Sequence, residues 1–195
     1  MRDQLDIFGS GPTLPAGFSY RTALITPEEE RALLPHVQAL PFRDFEFHGY
    51  VGKRRVVFFG WRYDFAARAL SPADELPPFL RGMRALAADV AGLPPDAFPH
   101  ALVTEYSPGA AIGWHKDKHV FGTIVGVSLV SPCTFRLRRP AGDGWERASL
   151  EVEPRSAYLL SGESRAEWEH SIPAVDALRY SVTFRTLREG EGTER

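Results

Sequence analysis

Arg179-Tyr180-Ser181-Val182-Thr183-Phe184-Arg185 alternates strictly between polar and apolar residues. Successive side chains of a strand point to opposite faces, so Tyr180, Val182 and Phe184 make an apolar face that belongs against a core. Arg179, Ser181, Thr183 and Arg185 make the other face. Two readings fit it: a half-exposed strand with its polar side in water, or a strand whose two guanidiniums hold an acid. Two Arg on one strand face suit a dicarboxylate, each charge-assisted pair contributing about 1.5–3 kcal/mol. Lys lacks the planar fork that makes such a grip specific.

Outward from this segment, most of the chain reads as short strands bounded by turn residues: Phe45–Tyr50, Arg55–Gly60, Ala101–Tyr106, Thr123–Leu129, Thr134–Arg139, Ala148–Val152, Ala157–Leu160 and Leu178–Arg185. Two helices precede most of them. Thr26 is placed to cap the first, with Pro27 in its first turn and Glu29 closing a capping box. Leu33, Leu34, Val37 and Leu40 then recur at helical spacing, and Pro35 is expected to kink or shorten the helix. The second helix follows Pro77-Pro78, carries Phe79, Leu80, Met83, Leu86, Ala87 and Val90 on one face, and ends at Gly92 and Pro94. Early helices followed by many strands imply an α+β, mainly β fold, with the helices packed on a sandwich or jelly roll. Residues 1–17, rich in Gly and Pro, read as an extended arm. No composition shift marks a second domain, so residues 1–195 are expected to form one.

Composition excludes several classes. The chain has 195 residues, 44% of them hydrophobic and 25% charged, the balance of a soluble globular protein. No apolar run approaches the roughly 20 residues that span a bilayer. Cys133 is the only cysteine, so no intramolecular disulfide forms and a cytoplasmic location is the expectation. A formal net charge of −2 argues against binding duplex DNA by bulk electrostatics, though not against a local basic groove.

Trp114-His115-Lys116-Asp117 follows Gly109 and Gly113. Residues i and i+2 of a strand share a face, so His115 and Asp117 can converge on one ion. A third ligand must come from another strand, and His170, in Glu167-Trp168-Glu169-His170-Ser171-Ile172-Pro173, is placed to supply it. Two imidazoles and a carboxylate leave three positions open on an octahedral metal, as non-heme Fe(II) oxygenases require. The triad by itself fits a zinc site or purely structural residues equally well.

Three blocks together carry a resemblance: Tyr106-x-x-Gly109 leading to His115-x-Asp117, then Arg165-x-x-Trp168-x-His170, then Arg179-x-x-x-Thr183-Phe184-Arg185. In order and spacing the chain, from about Phe45 to Leu187, resembles the AlkB-like Fe(II)/2-oxoglutarate dioxygenases. That resemblance implies a double-stranded β-helix with N-terminal helices packed on one sheet. It implies Fe(II) on His115, Asp117 and His170, with 2-oxoglutarate and O2 as co-substrates. It further implies Arg179 and Tyr106 at the distal carboxylate of 2-oxoglutarate and Arg185 at the carboxylate nearest the metal. Two positions where the family keeps Asn are Thr104 and Ser181 here, shorter groups that still hydrogen bond. Where several nucleic-acid-repairing members carry an acid against the damaged base, two residues past the Asp ligand, this chain has His119.

Residues 43–70 fall where the family keeps its substrate lid. Gly52-Lys53-Arg54-Arg55 and Gly60-Trp61-Arg62-Tyr63-Asp64-Phe65 interleave basic and aromatic residues, which suits a single strand with stacked bases. Arg55, Trp61, Tyr63 and His119 are the substrate-binding candidates; a core strand and a solvated turn are the plain alternative. His36, His48 and His100 lie outside the matching blocks and read as surface or core residues. Trp114 and Trp168 are expected to pack around the ligands and orient them. Arg136, Arg138 and Arg139 read as a solvated face. The leading expectation is oxidative demethylation of alkylated bases in single-stranded DNA or RNA, a DNA-repair type of reaction releasing formaldehyde, succinate and CO2. The rivals are a 2-oxoglutarate-dependent hydroxylase or demethylase of a protein or small molecule, and a non-catalytic β-sandwich that keeps a metal for structure.

Overall fold

The computed structural model describes residues 14–47, 50–64 and 69–188. In chain order the elements are β1 (Phe18–Arg21), α1 (Pro27–Gln38), β2 (Arg43–Phe47), β3 (Tyr50–Phe59), β4 (Trp61–Asp64), β5 (Ala69–Pro72), α2 (Pro78–Ala91), β6 (His100–Tyr106), β7 (Ile112–His115), β8 (Phe121–Leu129), β9 (Cys133–Ala141), β10 (Gly144–Val152), β11 (Ser156–Leu160), α3 (Gly162–Ala166), β12 (Glu169–Ile172) and β13 (Arg179–Leu187). The larger sheet runs β1-β11-β8-β13-β6-β3-β2 and the smaller β10-β9-β12-β7, while β4 and β5 pair as a separate hairpin. All the pairings are antiparallel. The expected jelly roll is found, with helices on one face of the larger sheet.

Two hydrophobic clusters follow from strand alternation. Val103, Val125, Val127, Tyr180, Val182 and Phe184 face the helices and pack with Val37, Leu80, Met83 and Ala87. Ile124, Phe135, Leu137, Tyr158, Leu160, Trp168 and Ile172 fill the space between the two sheets. The polar face of β13 therefore looks into the sandwich, and Arg179, Ser181, Thr183 and Arg185 are all buried.

Helix α1 has the expected Thr26 cap and capping box. Pro35 does not end it; the helix runs on to Gln38. Pro35 lies on the exposed side of the helix, where losing one intrahelical hydrogen bond costs least. Its neighbour Glu30 does more than cover the sheet: Oε1 accepts from the Val130 N–H (2.9 Å) and Oε2 from Arg155 (3.0 Å). Both partners have positive φ, 76° and 62°, so this buried carboxylate steadies two strained turns. Helix α2 ends on Gly92 in the left-handed conformation, as expected.

Of the expected arm, residues 1–13 lie outside the described residues; Gly17 leads into β1, which pairs with β11. Of the expected lid, residues 48, 49 and 65–68 lie outside them, His48 included. The strands β1, β4, β5, β7 and β12 are too short to have shown period-two alternation. No described helix is long and apolar enough to cross a membrane.

Gly126, in the centre of β8, is directly opposite Tyr158 of β11. A Cβ at Gly126 would overlap the tyrosine ring, which lies across the strand at this point. Gly126→Ala is expected to cost about 1–3 kcal/mol by overpacking. Denaturant unfolding of Gly126→Ala, Tyr158→Ala and the double variant should show strong coupling; simple additivity would mean the ring has room to move.

Candidate active site

Strands β7 and β12 are neighbours in the smaller sheet, with His115 and His170 directly opposite one another. Their ring centroids are 4.2 Å apart. Asp117 joins them: ligand-type atoms of His115, Asp117 and His170 all lie within 4.8 Å of one another. Nε2 of His170 is 3.6 Å from Oδ2 of Asp117. The route to this convergence differs from the expected one. Strand β7 ends at His115, and Asp117 sits in the following loop rather than one pleat further along. Its carboxylate is held instead by Arg185, whose Nε and Nη2 donate to Oδ1 at 3.0 and 2.7 Å.

The ligands are oriented by direct contacts. Nδ1 of His115 lies 2.9 Å from the Gly113 carbonyl. A carbonyl only accepts, so Nδ1 carries the proton and Nε2 is left as the ligand atom. The His170 ring stacks on Phe135 at 5.4 Å. Of the two tryptophans expected to pack around the ligands, Trp168 is buried in the same cluster as Phe135, while Trp114 turns to the basic residues of β9. Trp114 stacks with Arg136 and Arg138 at 5.0 and 4.4 Å. Trp168 donates to Glu163 and lies under Arg139. The basic run 136–139 is thus a stacked and ion-paired surface, with Arg138 on Glu169 and Arg139 on Glu146, Glu163 and Glu167.

Electrostatics suit a divalent ion. Burial, then the neighbouring His115, pushes His170 down to about 3. Burial likewise lowers His115, against the opposing pull of Asp117. Burial alone would raise Asp117, but Arg185, then His170 and His115, hold it well below the ordinary carboxylate range. At neutral pH the site is two neutral imidazoles and one carboxylate, a donor set that accepts an Fe(II)-type ion without first shedding protons.

Beside the triad, between the sheets, lies the arginine strand. Arg179 is wholly buried; its Nε donates to Ser128 Oγ at 3.0 Å. Its Nη1 and Nη2 have no hydrogen-bond partner among the described residues. The guanidinium carbon lies 5.0 Å from the centre of the Tyr106 ring, on the adjoining strand position. Thr104 and Ser181 face each other across the same pair of strands, both buried. A buried guanidinium with two unpaired nitrogens costs several kcal/mol unless an anion completes it, roughly 1–3 kcal/mol per unmet group and more for a charged one. A forked carboxylate matches the two donors Nη1 and Nη2, which makes these residues fit one end of 2-oxoglutarate.

The substrate candidates divide. Trp61 and Tyr63 are half-buried on the β4–β5 hairpin, and Lys118 from the ligand loop lies 5.4 Å from the Tyr63 ring centre. His119 is exposed on the same loop. Arg55 faces away from the metal: it pairs with buried Glu105 at 2.7 Å, and that carboxylate also accepts from Tyr180. The adjoining Arg54 is the one turned toward the site, opposite Tyr106 and over the Phe45 ring at 4.2 Å. Ser128, which Arg179 reaches, was not among the expected site residues, and Arg54 and Arg165 stood only inside a basic run and a motif. Ser128 had a signal, since Ile124, Gly126 and Ser128 alternate with Val125, Val127 and Leu129.

The model of the 2OG-Fe(II) oxygenase superfamily matches residues 21–185, and the chain belongs to that superfamily. Within it the likeness is to AlkB homologues. The alkylated DNA repair protein ALKBH8 homolog of Arabidopsis thaliana is 28% identical over 190 residues, covering 84% of this chain and 53% of that protein. The mitochondrial alpha-ketoglutarate-dependent dioxygenase alkB homolog 7 of Bos taurus is 34% identical over 103 residues, 46% of each. The chain thus spans about half the length of these curated relatives. The solved structure of OsALKBH1 shares the fold at a TM-score of 0.66 with 17% identity, covering 89% of this chain and 98% of that one. The superfamily works with Fe(II), 2-oxoglutarate and O2, and His115, Asp117 and His170 form the donor group such an ion needs.

Two outcomes are expected. Asp117→Ala and His170→Ala should each abolish stoichiometric Fe(II) or Co(II) binding in calorimetry while the circular dichroism stays native; retained binding would place the metal elsewhere. His100 gives a pH test. It is buried across from Arg185, and burial, then Arg185, holds its pKa well below 6.5. The unfolded chain takes up a proton near pH 6.5 that the folded one refuses, so stability is complete above that value and is lost as pH falls toward the folded pKa. His115 and His170 act in the same direction without metal. The melting temperature of metal-free protein should fall between about pH 7.5 and about pH 5, and less steeply in His100→Phe. A pH-independent melting temperature would contradict a neutral buried histidine.

Proposed function

We propose that this dioxygenase oxidatively demethylates alkylated bases in single-stranded DNA or RNA. The observation that carries the reading is Arg54: a partly buried guanidinium with no carboxylate partner among the described residues, opposite Tyr106 at the rim of the metal site. Its burial lowers its pKa, and Tyr106, to which it also hydrogen bonds, is the chief offset. An arginine in such a place suits a substrate that brings its own negative charge, as a phosphodiester does. Trp61 and Tyr63 on the hairpin supply surfaces on which an unstacked base can rest. The Arabidopsis relative is named for the repair of alkylated DNA.

The geometry supports the following roles for this chain's residues. His115, Asp117 and His170 would hold Fe(II), leaving one side of the ion for co-substrate and O2. Arg179 would fork onto the distal carboxylate of 2-oxoglutarate through Nη1 and Nη2, with Tyr106, Thr104 and Ser181 lining the same pocket. Arg185 keeps Asp117 ionised and aimed at the metal while presenting positive charge to the near carboxylate. The bound cofactor set supplies oxidation of a C–H bond, converting 2-oxoglutarate and O2 to succinate and CO2. Hydroxylation of an N-methyl group gives a hemiaminal that collapses to formaldehyde and the free base. Burial of the pocket between two sheets keeps water from the oxidation.

A second reading, hydroxylation or demethylation of a protein or small molecule, draws on His119, which stands where an acid would contact a damaged base. Mass spectrometry on oligonucleotides bearing 1-methyladenine or 3-methylcytosine, incubated with protein, Fe(II), ascorbate and 2-oxoglutarate, separates the two. Loss of a methyl mass that depends on 2-oxoglutarate is expected on single strands. Succinate without demethylation would shift the substrate to the second class. Arg179→Leu is expected to weaken 2-oxoglutarate binding by roughly 2–5 kcal/mol, read by calorimetry on the metal-loaded protein. An unchanged dissociation constant would remove Arg179 from the pocket.

A further inference from the structure

Arg165 lies in α3, the short helix between β11 and the His170 strand, and it is buried. Its guanidinium meets no carboxylate among the described residues. Among the described residues, every hydrogen bond it makes goes to a backbone carbonyl of one segment, which runs from the loop at Asp117 into the first residues of β8. Nε donates to Gly122 at 3.1 Å. Nη2 lies 3.3 Å from the Asp117 carbonyl, 2.6 Å from that of Lys118 and 2.8 Å from that of Phe121. The same loop reaches back once, where Lys116 Nζ donates to the Ala166 carbonyl at 3.2 Å. Burial lowers the Arg165 pKa, with the Asp117 charge as the chief offset.

This is an expensive arrangement for holding a surface turn. A buried cation is tolerated only where its donors are met, and here a single segment, residues 117–122, meets them. That segment begins with the one metal ligand that regular structure does not position. Asp117 lies beyond the end of β7, so no sheet ladder fixes its backbone, whereas both histidines sit on paired strands. Arg185 grips the carboxylate but leaves the main chain free to pivot about it. Arg165 fixes the main chain, and it does so from five residues before His170 along the chain. One side chain thereby sets the Asp117 segment relative to the His170 segment.

We propose that Arg165 is the positioning residue of the metal centre, a clasp that holds the 117–122 segment, the ligand loop and the start of β8, around a fan of N–H donors and so sets metal affinity. It rests on the assignment of His115, Asp117 and His170 as ligands. Lys116 adds a second, exposed tie between the loop and α3. The clasp also fixes the main chain beside His119 and Lys118, so its loss reaches the mouth of the site.

The test is Co(II) titration of the metal-free full chain, following both affinity and the visible ligand-field spectrum. Arg165→Gln is expected to weaken Co(II) binding about 10–100-fold and alter the spectrum, the range seen when groups that orient metal ligands are removed. Arg165→Lys keeps the charge but not the planar fan, and is expected to fall between Gln and wild type. In Arg165→Ala, added guanidinium ion should restore affinity and spectrum by refilling the cavity, and should do nothing for wild type or for Asp117→Ala. A purely structural role would lower the melting temperature and leave the Co(II) spectrum of the folded fraction unchanged. Should Gln and Ala fail to fold, Lys decides alone. Wild-type Co(II) affinity and spectrum in any folded Arg165 variant would overturn the proposal. If Asp117→Ala also bound Co(II) like wild type, the ligand assignment itself would fall, an outcome distinct from failure of the clasp.

Discussion

A guanidinium sealed between two sheets with two nitrogens unpaired is the constraint around which this molecule is arranged. The Arg179 guanidinium has only Ser128 as a hydrogen-bond partner among the described residues, and a buried cation in that state calls for an anion. The strand that carries it must therefore show one face to the helices and the other to a cavity, which the alternation of Tyr180, Val182 and Phe184 secures. Four strands of the smaller sheet close over the polar face, and the metal triad sits where β7 and β12 meet. Pocket and metal are two ends of one interior, joined by Arg185, which lies on the same strand face as Arg179 and holds Asp117.

Charge balance runs through the whole interior. Buried arginines take three kinds of partner: Arg185 a carboxylate, Arg165 backbone carbonyls, Arg179 a hydroxyl and, in the proposed complex, a co-substrate. Each solution has a consequence. The carboxylate keeps a ligand ionised, the carbonyls shape a loop, and the unpaired nitrogens define what the pocket accepts. On the helix side the pattern recurs in quieter form, with Glu105 shared by Arg55 and Tyr180, and Glu30 shared by Arg155 and the Val130 amide. These are reasons of fold, and they explain why Arg55 faces Glu105 and Tyr180 while Arg54 lies opposite Tyr106.

Much of this was legible in residues that obey a period. The β13 alternation, the Thr26 capping box and the apolar face of α2 each specify local structure through their own spacing, and all three are found. The triad was legible as residue types in order, yet the pleat argument for Asp117 was mistaken, because a strand can end between two ligands and a loop can finish the geometry. Arg165 was visible only as a motif letter; its meaning lies in four carbonyls 43 to 48 residues away, which no spacing reveals. Short pairing strands such as β7 and β12 escape for a related reason, since four residues show no period. The choice between Arg54 and Arg55 depends on which face of β3 looks at Tyr106, a matter of register that one sequence leaves open.

The most direct measurement compares two keto acids on the anaerobic, Fe(II)-loaded protein by calorimetry: 2-oxoglutarate, and 2-oxobutyrate, which has the same metal-binding end but no distal carboxylate. With Arg179 waiting for a carboxylate, 2-oxoglutarate should bind with one-to-one stoichiometry and at least about tenfold more tightly. Equal affinities would contradict a dicarboxylate pocket at Arg179 and leave its buried charge without an explanation.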